Sequence, residues 1–357
     1  MIYIVMLLIS VLFAELYSRR KNEKYKYLYM LLSTLPFFLV SALRYDVGTD
    51  YFYRYVPDFQ AFIAGKEVLN LEIGFRLLYW LLSFITKDYA IVFVATSFLI
   101  IFPIFYTIFK YSKRPSISIL LFFLSSYFFV SLNMVRQFVA IAILFSTVHF
   151  LLEKKYKPWL FFVLLATCIH KSSLIFLLPF FLRKKMYLSP AVITVLGVIL
   201  ILFANPLHEV INFLLSFTPF SHYANTVFSK MDLQITPLIV NLCVYVFLYY
   251  FYKASDKKKK QQENNDIFFI NMQGFAVLCY FLSGTISIFS RVSYFFSIFS
   301  ILSIANFAYK KFDKKAKILL IILCVIMAGA LTKTHLIANS DEVFPYKAIW
   351  QRTSERT

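Results

Sequence analysis

The feature that most constrains this chain is the recurrence of apolar blocks, each long enough to cross a bilayer. A membrane-spanning helix needs about 20 predominantly apolar residues. Such runs occupy 1–17, 27–43, 89–109, 117–132 and 134–152, and again 190–207, 235–252, 267–289, 293–309 and 318–331. In lipid the backbone of each run must satisfy its own hydrogen bonds, and a helix does this within one segment. The expected fold is all-α: a polytopic transmembrane helical bundle of about ten full spans, forming one integral membrane domain over residues 1–357. Composition points the same way, with 60% hydrophobic and only 15% charged residues, against roughly half and a quarter in soluble domains.

Several function classes drop out early. The first apolar run has no basic residue before it and no small-residue cleavage pattern after it, so it is expected to stay as a membrane helix. Cys168, Cys243, Cys279 and Cys324 all lie inside apolar runs without CxxC or Cys/His spacing, which supports neither disulfides nor a metal site. None of the seven glycines builds a phosphate-cradling loop. No cofactor is expected.

A net charge of +19 would suggest nucleic acid in a soluble protein. Here the basic residues cluster in alternate connections, at 19–26, 110–114, 154–157, 183–185, 253–260 and 310–317. By the positive-inside rule these face the cytoplasm. The charge therefore reads as topology, with the bilayer as partner and no nucleic acid. Both termini fall outside, residues 253–266 form a cytoplasmic loop, and the long outer connections are 44–88, 205–234 and the stretch after 331.

Two segments break the simple alternation. Residues 159–182 carry inner-type clusters at both ends and a polar break, His170-Lys171-Ser172-Ser173, at the centre. Two arms of about 11 residues reach only halfway through a core of about 30 Å, which predicts a re-entrant hairpin or two short helices with His170 and Lys171 at the tip. Residues 73–82, in the first outer loop, are apolar apart from Arg76 and predict an interfacial or re-entrant helix.

The informative cations are those outside the inner clusters. Arg44 and Arg136 lie at outer helix ends, Arg76 in the outer amphipathic helix, Lys171 at the hairpin tip and Arg291 at a short outer turn. Arginine near apolar surroundings usually faces a cavity or an anion, and its planar fork suits phosphate oxygens. An anionic lipid carrier is the substrate class this suggests. Acids share the region: Asp46 and Asp50 in Arg44-Tyr45-Asp46-Val47-Gly48-Thr49-Asp50-Tyr51, and Glu72 ahead of the amphipathic helix. Such carboxylates suit a general base, sugar hydroxyls or a divalent metal; alternatively Asp46 and Asp50 pair with Arg44 and Arg54 and cap the turn. Histidine as a residue type suits taking a proton from an attacking hydroxyl, which makes His170 the favoured base, with Asp50 and Glu72 as competitors.

Those same residues resemble the EpsG family of Wzy-like bacterial exopolysaccharide and capsule repeat-unit polymerases. The resemblance rests on the 44–51 motif, Glu72-Ile73-Gly74-Phe75, Asn133-Met134-Val135-Arg136-Gln137, His170-Lys171-Ser172-Ser173-Leu174, Arg291-Val292-Ser293-Tyr294 and Pro345-Tyr346-Lys347, in that order. It implies a glycosyltransferase of the bacterial cytoplasmic membrane with its site facing outside. Its substrate would be an undecaprenyl-pyrophosphate-linked oligosaccharide, transferred to the non-reducing end of another lipid-linked repeat unit. Arg44, Arg136 and Arg291 would then hold the donor pyrophosphate, and a flippase and a chain-length regulator are implied as partners. The alternatives are a flippase or transporter for the same lipid, or a single-sugar lipid-dependent glycosyltransferase.

Overall fold

The computed structural model describes residues 1–20, 22–183, 185–217, 229–254, 260–310 and 314–352. The fold is all-α. In chain order the helices are α1 (Ile2–Arg19), α2 (Glu23–Ala42), α3 (Val56–Ile63), α4 (Ile73–Ser83), α5 (Ala90–Tyr111), α6 (Pro115–Leu124), α7 (Tyr127–Asn133), α8 (Val135–Leu152) and α9 (Tyr156–Ile169). They continue as α10 (Pro190–Leu202), α11 (Ala204–Ser216), α12 (Ile235–Ala254), α13 (Lys260–Ser283), α14 (Ile288–Ser297), α15 (Ser300–Lys310) and α16 (Lys314–Leu331). A π-helical turn, Tyr51–Tyr55, leads into α3, and a 3-10 helix, Lys171–Arg183, follows α9.

Among the described residues, seven helices are long and apolar enough to span a membrane, or up to nine if each bent pair counts as one span. Two of the runs expected to be continuous are the bent pairs. Within 117–132 the helix breaks by 54° between α6 and α7, where Ser126 takes a left-handed φ of 65°. Within 190–207 it breaks by 82° between α10 and α11. The run expected at 27–43 is not among the seven, because α2 opens on Glu23, Lys24 and Lys26 interleaved with Tyr25, Tyr27 and Tyr29. Helix α11 fills the start of the 205–234 connection, and α13 begins inside 253–266. Residues 218–228 and 255–259 of those two connections, and Lys21 and Lys184 of the basic clusters, lie outside the described residues.

The chain divides into two compact units, one of residues up to Phe176 together with those from Met327 onward, the other of Leu177–Ile326. In the first, α2 packs on α1 and α5, α5 on α8, and α8 on α9. Phe37 of α2 is fully buried in an aromatic cluster with Phe105, Phe122 and Phe128. In the second unit, α13 packs against α10, α12 and α14. Its buried Asn271 donates to the carbonyls of Leu182 and Lys185 and accepts from the amides of Tyr187 and Leu188. That one side chain satisfies the turn following the 3-10 helix, whose backbone groups would otherwise be orphaned.

Candidate active site

The 159–182 segment forms two short helical arms, α9 and the 3-10 helix, and His170 sits in the break between them with an extended backbone. Helix α4 meets the end of α9 at Gly74. A Cβ there would lie 2.8 Å from the Cys168 carbonyl oxygen and 2.8 Å from the Ile169 side chain, so only glycine permits this approach. The approach carries Glu72, the residue before α4, to the His170 ring: Oε1 of Glu72 is 3.3 Å from Nδ1 of His170.

The other carboxylate oxygen, Oε2, accepts from Nη1 of Arg136 at 2.6 Å. The same nitrogen donates to the Asn70 carbonyl at 2.9 Å. Arg136 opens α8 just after the α7–α8 break, and the Tyr55 hydroxyl occupies that break, donating to the Asn133 carbonyl and accepting from the Arg136 amide. Glu72, Arg136 and His170 thus form one cluster from three separate elements. Burial alone would raise the Glu72 carboxyl, but the His170 ring and the Arg136 charge outweigh it and hold the pKa at about 2. Glu72 is therefore an ionised acceptor, ill-suited to taking a proton near neutrality and well-suited to orienting an imidazole.

A second carboxylate nearby, Asp58 of α3, is pushed the opposite way. Burial raises it despite the Arg54 guanidinium at 2.8 Å. The buried Tyr79 hydroxyl, which has no hydrogen-bond partner among the described residues, lies in the field of the same Asp58 and Arg136. Neither Asp58 nor Tyr79 stands out in the sequence, because no motif or spacing marks them.

The 44–51 motif has a different fate. Arg44 is 2% exposed, donates to the Ser41 carbonyl and hydroxyl and to the Leu132 carbonyl, and lies over the Phe93 ring. Burial lowers its pKa to about 10, so it stays charged. Asp46 pairs with Lys347 at 2.8 Å, and Arg54 pairs with Asp58. Asp46 thus pairs with Lys347 rather than with Arg44, and Arg54 with Asp58. Asp50 is half-buried, its amide 3.4 Å from Oδ1 of Asn133.

Asn133 is the hub of this loop. Its Oδ1 also accepts from the Thr49 hydroxyl, and its Nδ2 donates to the Asp341 carbonyl. Gly48, at φ +99°, must be glycine: a Cβ would fall 2.7 Å from that Oδ1. The 341–349 segment closes the loop with backbone bonds, Tyr45 to Lys347, Gly48 to Glu342, Thr49 to Asp341 and Ile349 to Leu43.

Of the remaining cations, Arg76 and Lys171 are exposed, and neither makes an ion pair or side-chain hydrogen bond among the described residues. Arg291 belongs to the other unit, half-buried in α14. Among the described residues no group of three or more His, Cys, Asp or Glu side chains is placed to hold a metal ion.

A family model described as EpsG family matches residues 26–348, nearly the whole chain. No curated protein and no solved structure matches it.

Proposed function

The chain belongs to the EpsG family, and from that membership we propose that it polymerises lipid-linked oligosaccharide repeat units. In this reading the growing glycan leaves undecaprenyl pyrophosphate and joins the non-reducing end of another lipid-linked repeat unit, outside the bacterial cytoplasmic membrane. A flippase would supply the units, and a chain-length regulator would govern the product.

The observation that carries the chemistry is the Glu72–His170 contact. With Nδ1 of His170 lying 3.3 Å from an ionised carboxylate, Nε2 is the nitrogen that takes the proton from the acceptor hydroxyl. The acceptor oxygen forms its bond to the anomeric carbon of the donor glycan. The bond from that carbon to the pyrophosphate oxygen breaks, and its electron pair leaves with undecaprenyl pyrophosphate. A positioned base of this kind contributes about 10²–10⁴-fold.

Arg136 acts here by fixing Glu72, and Arg44 by holding the helix ends around Ser41 and Leu132. Neither has its guanidinium turned wholly to a ligand, so the pyrophosphate charge falls first to Arg76 and Lys171. Asp46 and Asp50 order the loop beside the cluster; Arg291 enters this reading on the sequence alone.

Deleting the gene tests the reading. Single lipid-linked repeat units should accumulate on the outer side of the membrane, and polymer should return with the wild-type gene but not with His170→Ala. Accumulation on the inner side would instead identify a flippase. Full polymer length from a stably inserted His170→Ala protein would remove the histidine from the chemistry.

A further inference from the structure

Helix α4 has two apolar faces, and only one is used internally. Phe75, Tyr79 and Leu82 are buried, whereas Ile73, Leu77, Trp80, Leu81 and Phe84 form an exposed stripe at helical spacing. The exposure is large at both ends, 74% at Ile73 and 70% at Phe84. At 11 residues the helix is about 16 Å long, half the thickness of a hydrocarbon core, so the stripe is not the flank of an ordinary span.

Arg76 lies within this stripe, one turn beyond Glu72. A guanidinium among apolar side chains at a membrane is unfavourable unless an anion meets it, and among the described residues no carboxylate pairs with Arg76. Lys171 adjoins His170, which touches Glu72, and it too makes no ion pair among the described residues. The nearby Arg44, Arg54 and Arg136 are all engaged. The stripe therefore starts at the Glu72–His170 pair with two uncompensated cations at its head. Its complement is a long apolar chain that ends in more than one negative charge.

We propose that the exposed face of α4 is the docking track for the polyprenyl chain of the lipid-linked substrate, with Arg76 and Lys171 on its pyrophosphate. This rests on the polymerase reading and adds to it the path by which the lipid is held. An ordinary phospholipid, with one phosphate, matches the head of the track less well than a pyrophosphate does.

The test uses the full-length protein in phosphatidylcholine nanodiscs and a farnesyl diphosphate carrying a photoreactive benzophenone on its terminal isoprene. Labelling of the wild-type protein should map to residues 73–84. It should fall about tenfold or more in Leu77→Gln/Phe84→Gln and in Arg76→Gln, and recover partly in Arg76→Lys. The wild-type map alone decides the matter if a variant fails to fold. Labelling confined to other segments overturns the track and leaves the polymerase reading standing, whereas no specific labelling anywhere overturns both. Equal competition by phosphatidylglycerol would make the stripe a general lipid contact and overturn the proposal, as would equal competition by inorganic pyrophosphate.

Discussion

The loop at 44–51 and the cluster of Glu72, Arg136 and His170 draw on the same residue types and use them in opposite ways. In the loop, Arg44 is spent on carbonyl oxygens, Asp46 on Lys347, and the glycine on a tight approach to Asn133. Its backbone is tied at four points to the 341–349 segment. In the cluster, Glu72 bridges a histidine and an arginine that no local sequence brings together, and the neighbouring Arg76 and Lys171 make no ion pair among the described residues. The lesson is that the loop spends its charged and special residues on internal bonds, while the contact proposed as reactive is assembled from isolated positions.

That contrast breaks most sharply at His170. Replacement by alanine should reduce polymer formation by about 10²-fold or more, measured as glycan incorporation in membranes, with an unchanged melting temperature in detergent. Gly74→Val comes next. Its side chain would collide with the Cys168 carbonyl, and a displacement of about 1 Å between Glu72 and His170 should lower the rate up to 10²-fold while the protein still inserts.

Loop substitutions should behave in the reverse manner. Asn133→Ala removes partners from Thr49 and the Asp341 carbonyl, and should lower stability by about 1–3 kcal/mol, read by thermal unfolding. Activity per folded molecule should change only a few-fold.

Acid titration sharpens the comparison further. Because the folded Glu72 carboxyl is depressed to about 2 from 4.5, its ion pairs contribute fully above the ordinary value and fade as pH falls toward the folded one. The stability difference between wild type and Glu72→Gln should be constant from neutrality down to about pH 4.5 and shrink below it. The smallest effect belongs to Lys347→Ala. Its pair with Asp46 is 45% exposed on the lysine side, and its loss should cost under about 1 kcal/mol; a larger loss would mean that the strap depends on side chains more than on its backbone bonds.

The positions of most helices and the break at His170 follow from apolar run length and from one polar tetrad, both local signals. The kinks within 117–132 and 190–207 do not, because each run is apolar throughout and the kink is decided by packing. The Glu72–His170–Arg136 cluster was legible as a set of candidates but not as a contact, since 64 and 98 residues separate Glu72 from its two partners. Gly74 was the available clue: with only seven glycines in the chain, one inside a bulky helix marks a close approach of backbones. Asn133 lies within the 133–137 motif, yet its role as hub depends on Asp341, which no nearby residue announces.

The strap at 341–349 also bears on when the protein becomes competent. The backbone partners of the 44–51 loop are made some 300 residues after it. Until they are, Tyr45, Gly48, Thr49 and the Leu43 carbonyl lack those bonds, and contacts of such long sequence separation form late. A ribosome that stalls before residue 341 would leave a chain with its early helices in place and its loop unfastened. The join between 44–51 and 341–349 is therefore a set of bonds that the loop can complete only after the later segment has been made.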